Sequence, residues 1–520
     1  MNFRMHRRLS RPCVAQTVLA ISAFAQAQPV FHAGTRLVQV DVVARNKSGP
    51  VAGLKKEDFT LFDEGSPQQI SVFSVITKHS NKHATPLSAG TVSNRLNRLG
   101  EEPASATVLL IDRLNTPIDT QPYANQKVIR FVQANGGRER VGIYTLGSAL
   151  HVIQDLTDDP DRLERAARSL KPQDSRRLSA DVSVDSTGDA ITDAMVRRSL
   201  EGLEDITVSD HVQLTGEALA AIARHLAGVP GRKNLIWISG SFPIFIQRAH
   251  YNLDFSKDVE AAARALTEAD VAVYPVDARG LIGSSAGVAE QPLQSSRSPI
   301  ASPGGPSGVD TMNTLAGLTG GRAFYNANGI EDSISEAIDD AQITYTLGFY
   351  PAEGAFDDKF HKLMVRVNQK SVNLRFRQGY FATKTDSTPP AAATTLSQLL
   401  QDPLDATAIG IHASTTADAT QPGTVQVHVI VDLHDIHLEH RNNIASGSVD
   451  VSLFVERSKT ARTITRKIEI PEEQVAEALE KGVEIDGSVQ SDSRSGIVRI
   501  VALDPSTGAS GSVRVPLGRN

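Results

Sequence analysis

After its first 35 residues the chain shows short segments in which apolar and polar residues alternate. Arg36–Arg45 reads RLVQVDVVAR, and a turn at 46–49 leads to three further short segments, Val51–Leu54, Phe59–Phe62 and Ile70–Ile76. Alternation with a period of two residues is typical of strands that bury one face. The pattern therefore predicts a small antiparallel β unit over residues 28–76.

Between residues 106 and 342 apolar runs alternate with amphipathic stretches. The predicted strands are Ala106–Ile111, Val141–Leu146, Leu235–Ser239, Val271–Val276 and Ala323–Tyr325. The predicted helices are Tyr123–Gln133, Asp159–Leu170, Gly216–Ala227, Lys257–Ala269 and Ile330–Ala341. Strands that alternate with helices predict an α/β fold with a doubly wound, mostly parallel sheet.

The β pattern returns at Ile343–Tyr350, Lys362–Val367 and Leu374–Phe381. Three strands alone are marginally stable. We therefore expect residues 343–382 to pair with the strands of 28–76, so that the α/β domain is an insertion in one small β-sandwich.

From 401 to 520 further alternating segments predict an immunoglobulin-like sandwich, interrupted by a helix at Glu472–Glu480. Polar, Pro- and Ser-containing stretches at 77–105 and 383–400 are predicted to be linkers.

The N-terminus has the pattern of a secretory signal peptide. Four arginines precede a short apolar core at Val14–Phe24, and Ala25-Gln26-Ala27 provides a site for cleavage. An amphipathic N-terminal helix is the alternative. Cleavage would remove residues 1–27 with the one cysteine, Cys13, and we expect an exported protein in the periplasm or outside the cell. No later apolar run reaches the roughly 20 residues of a membrane span.

The charge of the chain excludes one class of partner. The formal net charge is −6, and loss of residues 1–27 leaves 49 basic residues against 59 acidic ones, a net charge of −10. Nucleic-acid binding depends on neutralising phosphates with Lys and Arg. We therefore expect no nucleic-acid partner, and the sequence leaves the oligomeric state undetermined.

The strongest candidate site follows the first strand of the α/β region. The apolar run Val108–Ile111 ends on Asp112, as in a fully buried parallel strand that delivers a carboxylate at its C-terminal edge. Ligands of open α/β sheets bind outside the carboxyl ends of the strands. Asp112 is therefore expected at the functional edge.

Several segments in order resemble the von Willebrand factor type A (VWA) domain. The segment IDRLNT at 111–116 resembles its first strand and metal loop, and LTGEAL at 214–219 resembles its threonine loop opening a helix. GRKNLIWISG at 231–240 and LTGGRAF at 318–324 resemble later strands. The flanks VAGLKKEDFTLFDEG, YTLGFYP and FRQGYFA resemble exported VWA-related proteins of the Acidobacteria type. The resemblance covers residues 34–382 and, more weakly, the last domain, and it implies a Rossmann-like α/β fold.

The resemblance implies a metal-ion-dependent adhesion site for Mg²⁺, held by oxygen ligands. Asp112, Thr116 and Thr215 are the candidate metal residues. Leu114 stands where the first hydroxyl is expected, and Ser239 replaces the usual Asp; Asn115, Asp119 or Asp277 could compensate. Because one hydroxyl and one negative charge are lost, we favour a degenerate site, in which Asp112 caps loop amides or pairs with an arginine and Leu114 packs beneath the loop. Mg²⁺ binding is the alternative.

These observations favour a non-enzymatic protein that binds a protein or cell-surface ligand. The predicted binding rim consists of Asp112, Asn115, Thr116, Thr215, Ser239, Ser241 and Asp277, with the 281–308 loop beside it. Two alternatives stay open: a structural envelope module with a vestigial site, and a secreted metal-dependent hydrolase that uses the HDIHLEH segment at 434–440. That segment lacks the HExxH spacing, and no P-loop motif is present.

Overall fold

The computed structural model describes most of the chain from Leu37 to Leu517. The predicted signal peptide with Cys13, Ser241 and residues 280–307 lie outside the described residues. The described residues are 37–77, 90–95, 105–135, 139–173, 189–229, 231–240, 245–247, 252–279, 308–325, 329–340, 342–352, 354–382, 396, 398–400, 402–418, 420–421, 423–456, 460–491 and 496–517.

The described residues form a mixed α/β structure with several sheets. The strands are β1 (Val38–Asn46), β2 (Gly49–Pro50), β3 (Phe59–Asp63), β4 (Ser66–Gln68), β5 (Val72–Thr77), β6 (Val92–Ser93), β7 (Ala106–Asp112), β8 (Arg140–Leu146), β9 (Leu150–Thr157), β10 (Lys233–Ser239), β11 (Phe245–Gln247), β12 (Asn252–Asp254), β13 (Val271–Asp277), β14 (Ile343–Phe349), β15 (Phe360–Val367), β16 (Asn373–Arg375), β17 (Gly379–Phe381), β18 (Ile411–Ala417), β19 (Thr424–Val431), β20 (Glu439–Arg441), β21 (Ile444–Val455), β22 (Thr460–Pro471), β23 (Val483–Gln490), β24 (Ile497–Leu503) and β25 (Ser510–Pro516).

Helices are concentrated between β7 and β14. They are α1 (Gln121–Asn135), α2 (Pro160–Arg168), α3 (Ala190–Leu226), α4 (Ser256–Glu268), α5 (Gly308–Thr319), α6 (Ile330–Asp339) and, near the C-terminus, α7 (Val475–Lys481). Among the described residues, no helix combines the length and the apolar content that crossing a membrane requires.

Strands from both ends of the first 382 residues form one β unit. β1 pairs antiparallel with β14, with Val38 opposite Phe349, and β14 also pairs with β5. A second sheet has the order β17-β15-β3-β4. The inward residues of both sheets, among them Val40, Leu61 and Tyr345, share one hydrophobic core. The chain between β5 and β14 therefore leaves this unit and returns to it.

The central sheet of the α/β region has the order β13-β10-β7-β8-β9. Its strands are parallel except for the edge strand β9, which the sequence pattern did not predict. Every residue of β7, β10 and β13 is buried because helices cover both faces. Residues of α3 and α4 pack on one face, and residues of α1, α2 and α6 pack on the other. The predicted strand at 323–325 is reduced to a single bridge between Phe324 and Val276.

The C-terminal residues form two antiparallel sheets around one core. One sheet has the order β23-β19-β18-β6, and the other has the order β20-β21-β24-β25 with β22 paired to β21. Alternate residues of β19, β21 and β24 point into the shared core, as in Val427, Val451 and Ile500. Alternation along the strands thus buries one face of each sheet.

The structure corrects the prediction that 77–105 is only a linker. Val92 and Ser93 form β6, which pairs with β18 of the C-terminal sheet. The next residue, Asn94, is buried and donates from its amide to the main-chain oxygens of Ala406 (2.7 Å) and Ile409 (2.8 Å). A segment before the α/β region is therefore part of the C-terminal unit.

A second correction concerns the segment predicted to be a loop before a helix at 216. Helix α3 runs without interruption from Ala190 to Leu226, so Thr215 and Gly216 lie inside it. A glycine inside a helix costs only about 1 kcal/mol relative to alanine. Helix α3 continues through Gly216, and the predicted break there was wrong.

Candidate functional site

The C-terminal ends of the parallel strands form one rim of the central sheet. Asp112 is in register with Leu146 of β8, and Ser239 is in register with Asp277 of β13. The loop after β7 continues from Asp112 to Thr116 and leads into α1. We use the term rim for this edge of the sheet and the β7–α1 loop.

Asp112 is the centre of the rim and is completely buried. Its Oδ1 accepts the main-chain N–H of Asn115 at 3.0 Å. Its Oδ2 accepts the Asn115 amide (2.8 Å), the Trp237 indole N–H (3.0 Å) and the Ser239 hydroxyl (2.8 Å). Four donors thus surround a single carboxylate.

Burial and hydrogen bonding act in opposite directions on this carboxyl group. Burial disfavours the charged form and raises the pKa of Asp112, whereas the hydrogen bonds from Asn115, Ser239 and Trp237 lower it. Burial is the larger effect, so the pKa is raised above its usual value. The donors satisfy the carboxylate without supplying a positive charge.

Asn115 joins Asp112 to Thr215. Its Nδ2 donates to Asp112 Oδ2 at 2.8 Å and to Thr215 Oγ1 at 3.0 Å. The Thr215 hydroxyl donates to the main-chain oxygen of His211 at 2.7 Å, so it can only accept from Asn115. Both hydrogens of the amide are used, and its nitrogen lies between two of the predicted metal residues.

The position of Thr215 differs from the sequence-based expectation. The residue was expected in a loop, where its hydroxyl could reach a cation. It lies instead inside α3 and is fully buried. Its hydroxyl donates a hydrogen bond to the main-chain oxygen of His211, one helical turn earlier. The structure brings Thr215 close to Asp112 but places an amide between them.

Two further predicted residues have their polar atoms engaged within the rim. Thr116 is buried, and its Oγ1 accepts the main-chain N–H of Gly240 at 2.9 Å. Ser239 is buried and donates to Asp112. Leu114 is 2% exposed and packs in the core beneath the loop. Ser241, the remaining predicted serine, lies outside the described residues.

Asp277 lies at the rim but does not join Asp112. Its carboxylate accepts the main-chain N–H of Arg279 at 2.9 Å and two hydrogens of the Arg279 guanidinium at 2.9 and 2.8 Å. The hydrogen bond from Asp277 raises the pKa of Arg279. Asp277 therefore orders the end of β13, and it does not replace the charge lost at Ser239.

This arrangement does not fit a Mg²⁺ ion. Such an ion needs near-octahedral oxygen ligands with room for water. The oxygens of Asp112 already accept four donors, Leu114 offers a methyl group, and the Asn115 nitrogen separates Asp112 from Thr215. Within the described part of the chain, no group of three or more His, Cys, Asp or Glu side chains could hold a metal ion.

Two of the three histidines of HDIHLEH, His434 and His440, contact different carboxylates. His434 Nδ1 lies 2.9 Å from Asp432 Oδ1, and His440 Nδ1 lies 2.9 Å from Glu472 Oε2. Each of these histidines has its own acidic neighbour on the surface of the C-terminal unit. The two side chains therefore make separate surface contacts.

Sequence reasoning missed the role of Trp237. The side chain is fully buried, as a core residue would be, but its indole N–H also donates to Asp112. Trp237 and Ser239 are two residues apart on β10, and alternation places both on the same face of the sheet. This spacing was the signal in the sequence that could have assigned both residues to Asp112.

The exposed surface of the rim lies around these buried groups. Pro117 and Asp119 of the β7–α1 loop and Ser148 and Ala149 of the β8–β9 turn are exposed. The rim thus offers a surface of small and polar side chains above the hydrogen-bonded group around Asp112.

A scan against protein-family models and a search of curated proteins give no match. Solved structures that match the chain include BatB from Bacteroides thetaiotaomicron, which is 15% identical with a TM-score of 0.25, over 46% of this chain and 97% of that one. Three N-terminal domains of the type V pili tip protein Mfa5 from Porphyromonas gingivalis are 11% identical with a TM-score of 0.27, over 94% and 78% of the two chains. A von Willebrand factor type A protein from Catenulispora acidiphila is 9% identical with a TM-score of 0.23, over 88% and 75%.

Proposed function

We propose that this protein is an exported, VWA-related module that binds a protein or cell-surface ligand at the rim without a metal ion. Asp112 at the end of the central strand β7 and the strand order of the sheet support this assignment. The rim is the edge at which open α/β sheets bind ligands.

The observation that carries the proposal is the position of the Asn115 amide. It donates to Asp112 and Thr215, the two groups between which a cation would otherwise be held. A neutral donor can hold these oxygens together without an ion, because each oxygen gains a hydrogen bond. The rim is therefore kept in one conformation by the chain itself.

The two β units of the chain support the α/β region that carries the rim. In our proposal the β unit of 28–76 and 343–382 and the immunoglobulin-like sandwich of 401–520 act as a stalk, and the protein has no catalytic role. Residues 106–342 form the binding domain, inserted between the two halves of the first β unit. In the same proposal, residues 1–27 are removed during export.

Calorimetric titration with Mg²⁺ and Mn²⁺ tests the absence of a metal. We expect no binding heat for the wild-type chain. The double variant Leu114→Ser/Asn115→Ala restores a hydroxyl and removes the bridging amide, so we expect it to gain measurable Mg²⁺ binding. Mg²⁺ binding by the wild-type chain that Asp112→Ala abolishes would contradict a metal-free rim.

Comparative capture from envelope extracts of the source cells tests the binding role. The rim variant Asp119→Arg/Ser148→Arg changes two exposed side chains, and Glu480→Arg on the C-terminal unit is the matched control. We expect a partner, identified by mass spectrometry, that the wild-type chain and Glu480→Arg retain and the rim variant loses. Equal retention by all three proteins would show that the rim is not the binding surface.

A further inference from the structure

Arg113 is a charged side chain buried at the rim. It follows Asp112, is 9% exposed, and its main-chain N–H donates to Leu146 at 2.8 Å. Leu109 and Ile111 pack on the α1 side of the sheet, whereas Leu110 and Leu114 pack on the α3 side. This alternation places Arg113 on the α1 side, away from the carboxylate of Asp112.

The Arg113 guanidinium makes no ion pair or hydrogen bond with any residue that the structure describes. Its Nε is buried without a partner. Burial lowers the pKa of Arg113, and no neighbouring charge offsets this effect. Its terminal nitrogens are not among the buried atoms that lack a partner, so the charge is only partly removed from water. A partly buried charge without a partner is unfavourable, so such groups are normally paired.

Other buried arginines of this chain do have partners for their terminal nitrogens. Arg232 donates to the Tyr274 hydroxyl (3.2 Å) and the Gly320 main-chain oxygen (2.7 Å). Arg499 donates to the main-chain oxygens of Leu400 and Leu404, both at 3.1 Å. Each of these two arginines also has a buried Nε without a partner, so Arg113 differs from them in its terminal nitrogens, which bind no described residue.

Helix α1 adds polar groups on the same side of the sheet. Gln121 donates to the main-chain oxygens of Arg113 (3.3 Å) and Thr116 (2.9 Å) and so fixes the loop. Asn125, one turn further along α1, is 5% exposed, and neither its amide oxygen nor its nitrogen has a partner among the residues that the structure describes. The start of α1 thus supplies a further buried donor near the rim.

We propose that Arg113 binds the carboxylate of an Asp or Glu side chain from an acidic protein partner. This inference rests on the proposed function and names the chemistry of its partner. A planar guanidinium forms two parallel hydrogen bonds with a carboxylate, and such pairing offsets the cost of burying the charge. The low exposure of Arg113 favours a single side chain over a bulky phosphodiester backbone.

Thermal unfolding of the full chain in sodium acetate and in sodium chloride, at equal ionic strength, tests the carboxylate site. We expect acetate to raise the Tm of the wild-type chain by about 1 °C or more relative to chloride. Arg113→Met should abolish this rise and Arg113→Lys should reduce it. The exposed Arg130→Met is the matched control and should keep it. No rise in the wild-type chain, an equal rise in Arg113→Met, or a rise with phosphate but not with acetate would overturn the proposal.

The same variants show whether Arg113 has a purely structural role. In chloride, Arg113→Met replaces an unpaired buried charge with an apolar side chain of similar length, so its Tm should rise above that of the wild-type chain. Arg130→Met should leave the Tm unchanged. A lower Tm for Arg113→Met would assign the guanidinium to the stability of the fold and overturn the proposal.

The capture experiment separates this inference from the proposed function. We expect Arg113→Met to lose the partner that Asp119→Arg/Ser148→Arg also loses. If only the Asp119/Ser148 variant loses the partner, the rim function stands and the role of Arg113 is wrong. If both variants retain it, the rim function is wrong and the role of Arg113 falls with it.

Discussion

The imidazole Nε2 of His225 lies 3.0 Å from Oδ1 of Asp155 where the α/β region meets the C-terminal unit. The other ring nitrogen, Nδ1, lies 2.7 Å from the main-chain oxygen of Asp405. The same Asp155 oxygen accepts the Tyr144 hydroxyl at 2.8 Å. Because both ring nitrogens of His225 face acceptors, the ring makes both hydrogen bonds only as imidazolium.

This pair predicts a pH dependence of stability. Burial alone would lower the pKa of His225, but the hydrogen bonds and charges of Asp155 and Asp405 together outweigh it and raise the pKa. When folding raises the pKa of a histidine, the protonated ring stabilises the folded protein fully at pH values below the pKa of the unfolded chain, about 6.5. This stabilisation is lost as the pH rises through the pKa of the folded protein. We expect the Tm of the wild-type chain to fall over this range.

Asp155 determines the lowest pH at which its contact with His225 stabilises the protein. Burial raises its pKa, but the hydrogen bond and charge of His225 lower it to about 2. The contribution of the Asp155 carboxylate to the free energy of unfolding is present above about pH 4. It is lost as the pH falls towards the pKa of Asp155 in the folded protein. The contact should therefore stabilise the protein most between about pH 4 and 6.5.

The variant His225→Gln tests the pair. We expect it to lose about 2 kcal/mol at pH 6 and to flatten the decrease in Tm above pH 6.5. The expected loss is modest because the Asp155 side chain is 47% exposed and partly screened by water. His428→Gln, at a histidine that is 44% exposed and paired with Asp486, is the control and should leave the curve unchanged. An unaltered pH profile for His225→Gln would refute the imidazolium assignment.

The hydrogen bonds of Asp112 predict unequal costs for two substitutions. Ser239→Ala removes one donor, and we expect a loss of about 1–2 kcal/mol in the free energy of unfolding. Asp112→Ala removes the shared acceptor of Asn115, Trp237 and Ser239, so we expect a loss of about 3–5 kcal/mol. Urea unfolding measures both values. A cost for Asp112→Ala no greater than that for Ser239→Ala would show that the carboxylate does not organise the rim.

Asn94 predicts that the segment before the α/β region stabilises the C-terminal unit. Its side chain donates to Ala406 and Ile409 and accepts the main-chain N–H of Ile411 at 2.8 Å. Asn94→Ala should cost about 2–4 kcal/mol in urea unfolding because three buried main-chain groups lose their partner. Lys467→Ala, at an exposed position on β22, is the control and should stay within about 0.5 kcal/mol. Equal stability of both variants would mean that β6 is dispensable.

Sequence patterns predicted the parts of the fold that depend on local periodicity. The apolar run before Asp112 is enough to indicate a buried strand that ends in a carboxylate, and β7 is that strand. The two-residue strand β6 carries no such signal. Val92 and Ser93 form a strand only because β18, more than 300 residues later, offers its edge.

The candidate site was predictable only in part, for a related reason. The sequence placed Asp112 and Ser239 at strand ends, and the register of parallel strands then brings them together. The contact of Asn115 with Thr215 depends on where α3 crosses the rim, which no local pattern shows. Gly216 also suggested a break in α3, although a helix tolerates a single glycine when both flanking segments are strongly helical.

Two glycines, one inside the C-terminal half of α3 and one just beyond its end, predict opposite effects of the same substitution. Gly216 lies inside the helix, and a Cβ added there would meet nothing within 4 Å. Gly216→Ala should therefore raise the free energy of unfolding by about 0.5–1 kcal/mol, because alanine loses less backbone entropy on folding.

Gly228 lies just beyond the end of α3, where the α/β region contacts the C-terminal unit. A Cβ added there would lie 1.9 Å from the main-chain oxygen of Thr407, and the Gly228 N–H donates to the Thr407 hydroxyl at 2.8 Å. Gly228→Ala must displace this contact, so we expect a loss of about 2 kcal/mol or more. Thermal unfolding of the two variants measures both effects. A loss in Gly216→Ala would contradict a continuous α3, and an unchanged Tm in Gly228→Ala would contradict the close approach of Thr407.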